Sequence, residues 1–383
     1  MATTNFTKLH LANWRNFASV DVRLQSRVFV IGPNAAGKSN LLDAFRFLHD
    51  LVALGGGFEE AITKRGGVSK LRSLAARRYP DVVVGVAIGD PEQKQSEWEY
   101  EIAFGQDNRQ RPIIKRETVR SNGQLILKRP NPEDNTDVER LRQSYIEQVN
   151  VNKDYRPLAD FLRTVRYVHL VPQLVRESER YIGKGQDPFG SDFLEQIAKV
   201  PDKTRSSRLR KIGAALKVAV PQLQQLEFYR DPASGTPHLR GKYEHWRPLG
   251  AWQTEGQFSD GTLRLLGLLW AVLDRSGPLL LEEPELNLHP EVVRYLPQMF
   301  ATMHRRAGRQ VIVSTHSVDL LRDEGIGLDE VLLLKPQDEG TAVELAKDIK
   351  DAEQLVQGGI PLADVLLPAT RPPKARQLAM FGE

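Results

Sequence analysis

Gly32-Pro33-Asn34-Ala35-Ala36-Gly37-Lys38-Ser39 follows the β-branched and aromatic run Val28-Phe29-Val30-Ile31 and precedes an amphipathic stretch, Leu41 to Leu48. The G-x-x-x-x-G-K-S spacing, set between a strand and a helix, is that of a loop that wraps a polyphosphate. Backbone N–H groups must crowd around such an anion, and a side chain at Gly37 would block them. Lys38 brings a point charge toward the β- and γ-phosphates, and the Ser39 hydroxyl is a hard oxygen suited to Mg²⁺. Asn40 belongs to the same first helical turn, whose positive end faces the anion. A nucleotide with Mg²⁺ is the expected ligand.

Three further clusters have chemistry to offer. Leu279-Leu280-Leu281 is an apolar strand that delivers Glu282 and Glu283 at its C-terminal end, the end where open α/β sheets bind ligands. Two adjacent acids there can divide labour, Glu282 in the metal shell and Glu283 orienting and deprotonating an attacking water. Ser314-Thr315-His316-Ser317 follows another apolar strand. His316 either bonds the γ-phosphate or its water, or is a packed residue after a helix cap. Phe258-Ser259-Asp260-Gly261-Thr262 opens a helix. Ser259 or Asp260 caps it, or Ser259 and the Gly261 backbone form a second anion site. Because the first site has its own helix end, a second would serve a phosphate held by another subunit.

The elements that position these clusters are legible in outline. Residues 5–31 read as three short strands, and the helix after the phosphate loop stops near Gly55-Gly56-Gly57. Residues 58–78 look helical and basic. Residues 81–129 alternate as strands, with Asn122-Gly123 as a hairpin turn, and are expected to form an antiparallel insertion. Residues 130–163 read as a loop followed by polar helix, 165–171 as a strand reaching Gln173, and 174–190 as a mobile loop. Helices are expected at 191–199 and 203–219, and strands near 224–230 and 237–243. From Ser259 onward, helix and strand alternate, which indicates a parallel sheet covered on both faces. The expected divisions are 1–57, 58–164, 165–258, 259–350 and an irregular Pro-rich tail at 351–383.

The 383 residues carry a net charge of +4, too small by itself to imply nucleic-acid binding. Two basic clusters stand out, however: Lys64, Arg65, Lys70, Arg72, Arg77 and Arg78, then Lys203, Arg205, Arg208, Arg210 and Lys211. Each reads as a phosphate-backbone footprint or as a solvated face. The absence of cysteine removes disulfides and thiolate chemistry and suits a reducing cytoplasm. No apolar run is long enough to span a membrane, and the N-terminus lacks a signal-peptide pattern, so a cytoplasmic location without membrane contact is expected.

In order along the chain, these motifs resemble the ATP-binding-cassette class, within the branch containing RecF, the structural-maintenance-of-chromosomes (SMC) heads and the overcoming-lysogenization-defect ATPases. Leu11-Ala12-Asn13-Trp14-Arg15-Asn16-Phe17 resembles that branch's N-terminus, and the phosphate loop its Walker A motif. Gln173 is similar to the glutamine loop that helps hold the metal, and Phe258–Thr262 to the signature motif. Leu279–Pro290 resembles Walker B with its D-loop, and Ser314–Ser317 the switch histidine. Asp260 departs from the glycine usual in transporter ATPases, and Glu282 from the more common aspartate. The resemblance implies an α/β ABC-type head: a mostly parallel sheet flanked by helices, with an antiparallel β lobe and a helical insertion.

It also implies ATP hydrolysis by a head-to-tail homodimer, or an assembly of such dimers, with each ATP between Gly32–Asn40 of one chain and Ser259–Gly261 of the other. Arg15 and Asn16 are then candidates for contacts to the base or α-phosphate. After His316 no glutamate-and-paired-aspartate array follows that could hold two metals for strand cleavage, so the chain is not expected to be a nuclease. The implied role is the ATPase and sensor subunit of an anti-phage system, without a TOPRIM nuclease domain of its own and with a separate nuclease or TOPRIM-like effector, acting on or sensing DNA. A RecF-like repair ATPase is the alternative, and a transporter motor fits the β insertion poorly.

Overall fold

The computed structural model describes residues 4–76, 80–93, 95–177, 187–244, 251–274, 277–371 and 377. Strands run β1 Asn5–Trp14, β2 Phe17–Arg23, β3 Arg27–Ile31, β4 Val82–Gly89, β5 Trp98–Gln106, β6 Pro112–Ser121, β7 Gln124–Arg129 and β8 Arg166–Val168. They continue as β9 Leu223–Arg230, β10 Pro237–Tyr243, β11 Ala251–Thr254, β12 Leu279–Glu282, β13 Val311–Ser314, β14 Val331–Gln337 and β15 Gly340–Leu345. The chain divides into two compact units. The first comprises Met1–Arg166, Ser276–Leu280 and Pro297–Glu383; the second, Tyr167–Arg275 and Leu281–Leu296.

Two six-stranded sheets lie in the first unit, save for Tyr167–Val168 of β8 and Leu281–Glu282 of β12, which belong to the second. One has the order β15-β14-β3-β13-β12-β8, with β3 parallel to both β13 and β14 and β15 antiparallel at the edge. Its central strands, Val28–Ile31 and Val311–Val313, are buried, as expected where helices cover both faces. The other sheet, β2-β1-β4-β5-β6-β7, is antiparallel throughout. The residues expected as an insertion at 81–129 therefore pair with the N-terminal hairpin along β1. All eight residues of β4 are buried, so this sheet is covered on both sides at β4, whereas β2 alternates buried and exposed residues and most of β7 is exposed. The helix Lys38–Val52 buries Leu41, Leu42, Phe45, Leu48, Leu51 and Val52. Each such side chain contributes about 1.5–3 kcal/mol on leaving water.

Several local expectations are corrected. The polar helix at 130–163 breaks into Pro132–Thr136, the 3-10 turns Val138–Arg142 and Lys153–Tyr155, and Arg156–Arg163. Buried side chains hold this stretch, not helical hydrogen bonds. The helix expected from Pro290 splits into Pro290–Val293 and Leu296–Ala307, because Pro297 cannot donate to the preceding turn. The tail expected to be irregular forms helices Ala352–Gln357 and Leu362–Leu366, which bury Ala352, Leu362, Ala363 and Leu366. Pro372 and Pro373 lie outside the described residues. In the stretch 174–190, the helix Pro172–Arg176 and a turn at 188–190 are described, and 178–186 lie outside.

In the second unit the three-stranded antiparallel sheet β11-β10-β9 packs on the helix Asp202–Ala219. Leu209, Ile212 and Leu216 of the helix meet Leu223, Leu226 and Leu239 of the sheet, and Leu263, Leu266 and Trp270 of the helix Asp260–Leu273 complete that core.

Candidate functional site

The expected phosphate loop leaves β3 at Gly32, which packs so tightly on β14 that an added Cβ would lie 2.9 Å from the Leu334 Cβ. Gly37 sits at φ +97°, ahead of the helix, and a Cβ there would fall 2.3 Å from the Asn16 amide nitrogen. Only glycine fits, for conformational and steric reasons together. Ala35 is also left-handed, at φ +63°. Pro33 is half-buried, Asn34 and Ala35 are exposed, and Ala36 is buried beneath them. Lys38 is only 7% exposed. Its ammonium folds back onto the loop, donating to the Gly32 carbonyl at 3.1 Å and the Pro33 carbonyl at 3.4 Å. Ser39, one residue on, faces solvent in the first helical turn.

Asn16 braces this loop. Its amide donates to the Ala36 carbonyl at 2.8 Å and the Thr341 hydroxyl at 2.9 Å, and its oxygen accepts from Asn40 at 2.7 Å. Trp14 adds an indole bond to the Asn40 carbonyl at 2.8 Å. Arg15, at φ +52°, pairs with Asp43 on the helix at 2.7 Å. Both residues expected at the nucleotide's base or α-phosphate thus have protein partners that fix the loop's shape. Thr341 was missed by sequence reasoning, since its backbone N–H and hydroxyl reach Asn16 from 325 residues away.

His316 follows β13, whose Ser314 pairs in register with Val30 at the end of β3. The parallel pairing brings the two strand ends, and so His316 and the start of the phosphate loop, to one sheet edge. His316 is exposed, and Ser317 caps the next short helix by accepting from the Leu320 N–H.

The remaining candidates lie in the second unit. Glu282 accepts a hydrogen bond from the Tyr167 hydroxyl, a partner that sequence reasoning placed in a strand without singling it out. Glu283 adopts φ +44°, in the left-handed region that an acid seldom occupies. Such strain persists only where the surroundings enforce it and is common at functional positions. Ser259 caps the helix Asp260–Leu273 by accepting from the Thr262 N–H at 3.2 Å, a contact worth about 1 kcal/mol. Asp260 accepts from Arg176 at 2.6 Å. Gly261 lies against the 284–289 turn, where a Cβ would meet the Asn287 carbonyl at 2.4 Å. Burial pulls the Arg264 guanidinium below its usual range, against the opposing pull of Asp260 and Glu283. Gln173 is exposed on the helix Pro172–Arg176.

The basic clusters separate on folding. Arg65 is buried in ion pairs with Asp43 and Asp50, both at 2.8 Å, which corrects its reading as a footprint residue. Lys64 and Lys70 stay exposed, and Arg77 and Arg78 lie outside the described residues. Arg205 bonds the Ala198 and Val200 carbonyls and lies over Phe228, whereas Lys203, Arg210 and Lys211 are exposed. No group of three or more acidic or histidine side chains suited to a metal occurs among the described residues, nor does a helix long and apolar enough to cross a membrane.

Residues 27–323 match the family model described as "AAA domain, putative AbiEii toxin, Type IV TA system". Among solved structures, the SmcHead bound to the C-winged helix domain of ScpA aligns with a TM-score of 0.55 at 14% identity, covering 89% of this chain and 97% of that one. The Smc head with an extended coiled coil from Pyrococcus furiosus, bound to the C-terminal domain of ScpA, aligns at 0.53 and 13% identity over 92% and 100% of the two chains. The Smc head with a coiled coil and joint from Pyrococcus yayanosii aligns at 0.50 and 11% identity over 93% and 99%. No curated protein matches the sequence significantly. The fold is thus like that of these Smc heads, and the chain belongs to the AAA-domain family that this model defines.

Proposed function

We propose that the chain binds and hydrolyses ATP and works as the ATPase and sensor subunit of an anti-phage defence system with a separately encoded effector. The observation that carries the ATPase reading is the loop at 32–39. Gly37 sits in left-handed backbone where no Cβ fits, and a buried lysine stands at the head of a helix on a parallel strand. That cradle suits a polyphosphate, with Lys38 moving from its two carbonyls to the phosphates. Ser39 and Glu282 offer the hard oxygens that Mg²⁺ prefers, and Gln173 is a further candidate for that shell. The ion, when bound, neutralises charge developing on the phosphates. Glu283 accepts the proton of the attacking water, and His316 senses the γ-phosphate.

In this reading two copies close on two ATP molecules, with Ser259, Asp260 and Gly261 of one chain facing the phosphates held by the other. ATP biases a two-state assembly that hydrolysis reopens. The effector rests on analogy: the family description names a Type IV TA system, and two of the similar heads were captured with domains of ScpA. DNA would meet the exposed Lys64, Lys70, Lys203 and Lys211 by salt-sensitive backbone contacts. A RecF-like maintenance ATPase shares all of this except the effector.

Glu283→Gln is the primary test. It keeps the shape and loses the base, so ATP binding should persist while turnover falls about 10²–10⁴-fold and closed dimer accumulates. Free turnover by that variant, with loss in Glu282→Gln, would exchange the two roles. Ser259→Arg should abolish turnover by blocking the partner's phosphate. A monomer at full rate at every concentration, indifferent to Ser259→Arg, would rule out the dimer.

A further inference from the structure

The three-stranded sheet of the second unit ends at β9, which pairs with β10 on one side and with no strand on the other among the described residues. Its pairing irregularity falls at its first residues, leaving Gln225–Arg230 in regular register. Long open edges are commonly blunted with lysine or proline. Leu-Gln-Gln-Leu-Glu-Phe-Tyr-Arg contains neither; its charges are Glu227, held by Arg240, and Arg230 at its last position.

A groove of about 690 Å³ runs between this edge and the helix Asp202–Ala219, lined by Arg210, Gly213, Ala214 and Lys217 of the helix and by residues 224–228 of the strand. Gly213 and Ala214 give it room, while Arg210 and Lys217 stand at either end of the same helical stripe. Neither cation makes an ion pair among the described residues, whereas Glu227, the groove's acid, is held by Arg240 at 2.6 Å. The groove is therefore positive beside a row of backbone groups ready to pair. Two helical turns separate its cations, about 10.5 Å along the axis. Same-face carboxylates two or four residues apart on a strand are about 7 or 14 Å apart, within reach of both flexible side chains.

We propose that this groove takes an extended acidic segment of a partner protein, added to β9 as a strand, with carboxylates meeting Arg210 and Lys217. The inference rests on the reading that the chain works with a separate protein, and supplies the chemistry of that contact. Backbone pairing gives the affinity and the two cations select the charge pattern. Duplex DNA is the disfavoured occupant, because it leaves the strand's backbone groups unused.

A fluorescein-labelled peptide of alternating glutamate and valine, titrated into the whole chain at low salt, tests this. It should bind, slow amide exchange within residues 223–230, and weaken at least tenfold with Arg210→Glu/Lys217→Glu. Methylating alternate peptide nitrogens should abolish binding. ATPase activity of the double variant should be unchanged, which reports its folding. Absence of binding, exchange slowed only outside 223–230, equal affinity in the double variant, or competition by duplex DNA at 210–217 would each overturn the proposal. The peptide measurement needs no ATP turnover, so its failure is distinguishable from failure of the ATPase reading.

Discussion

Lys38 and Arg129 are both buried cations of the first unit, with opposite surroundings. Arg129 is fully buried at the end of β7, and all five of its N–H donors are used. Nε and Nη2 grip Asp134 at 3.0 and 2.7 Å, Nη1 reaches Glu117 at 3.1 Å, and the Gln143 and Arg140 carbonyls take the other two at 2.8 Å. The Tyr145 ring stacks 3.7 Å from the guanidinium. Glu117 in turn accepts from the Tyr100 hydroxyl and from the backbone N–H groups of Tyr145 and Ile146. Burial pushes the Glu117 carboxyl up, although Tyr145 and Arg129 pull it down. Lys38, by contrast, has two carbonyl partners at 3.1 and 3.4 Å and no carboxylate. A saturated cation holds a fold in place; an undersaturated one keeps a donor for a ligand, the reading proposed above for Lys38. Burial alone does not tell the two apart; counting donors against acceptors does.

Substitutions at the two cations should separate accordingly. Lys38→Ala should reduce ATP turnover to background in a steady-state phosphate-release assay, while chemical denaturation moves by less than about 1 kcal/mol. Comparable losses of stability and turnover would make Lys38 another structural cation. Arg129→Met should do the reverse, destabilising the first unit by about 3–5 kcal/mol because Glu117 and Asp134 remain buried without their counter-charge. Adding Glu117→Gln and Asp134→Asn should restore part of that loss. A triple variant less stable than the single one would contradict this account of the cage.

The smallest effect concerns pH. Burial lifts the Glu147 carboxyl from 4.5 to about 7, even though the Phe58 N–H and Ser144 hydroxyl donate to it. The folded chain therefore holds a proton that the unfolded chain releases. This contribution is complete below about pH 4.5 and is lost as pH rises through 7, at no more than about 1.4 kcal/mol per pH unit. Glu147→Gln should flatten that slope in denaturation curves between pH 5 and 7. An unchanged slope would place the titration elsewhere.

The strand–loop–helix around residues 32–39 was legible because it is contiguous: a strand, eight residues and a helix carry their own geometry. The acids after β12 and the Ser-Thr-His-Ser after β13 were legible for the same reason, each following a short apolar strand. The cage was not. Glu117 and Arg129 lie in the expected strands of 81–129 and Asp134 in the expected loop that follows, with no local signal of burial, which depends on how residues 130–146 fold over β6 and β7. Arg65 was misread as a surface cation on the same ground, since only the packed helix brings Asp43 and Asp50 to it.

The sequence by itself determined the strand–loop–helix unit, the order of the motifs and the alternation behind the parallel strands, because these depend on backbone preference and periodicity over a few residues. Tertiary structure decided which charges are spent. Asn16 reaches Thr341 across 325 residues and Tyr167 reaches Glu282 across 115, distances over which no local pattern carries information. The pairing of β1 with β4, which merged an expected insertion into the N-terminal sheet, belongs with them. Strand partners are chosen by shared burial of whole faces, and a strand's own residues do not name the neighbour it will find.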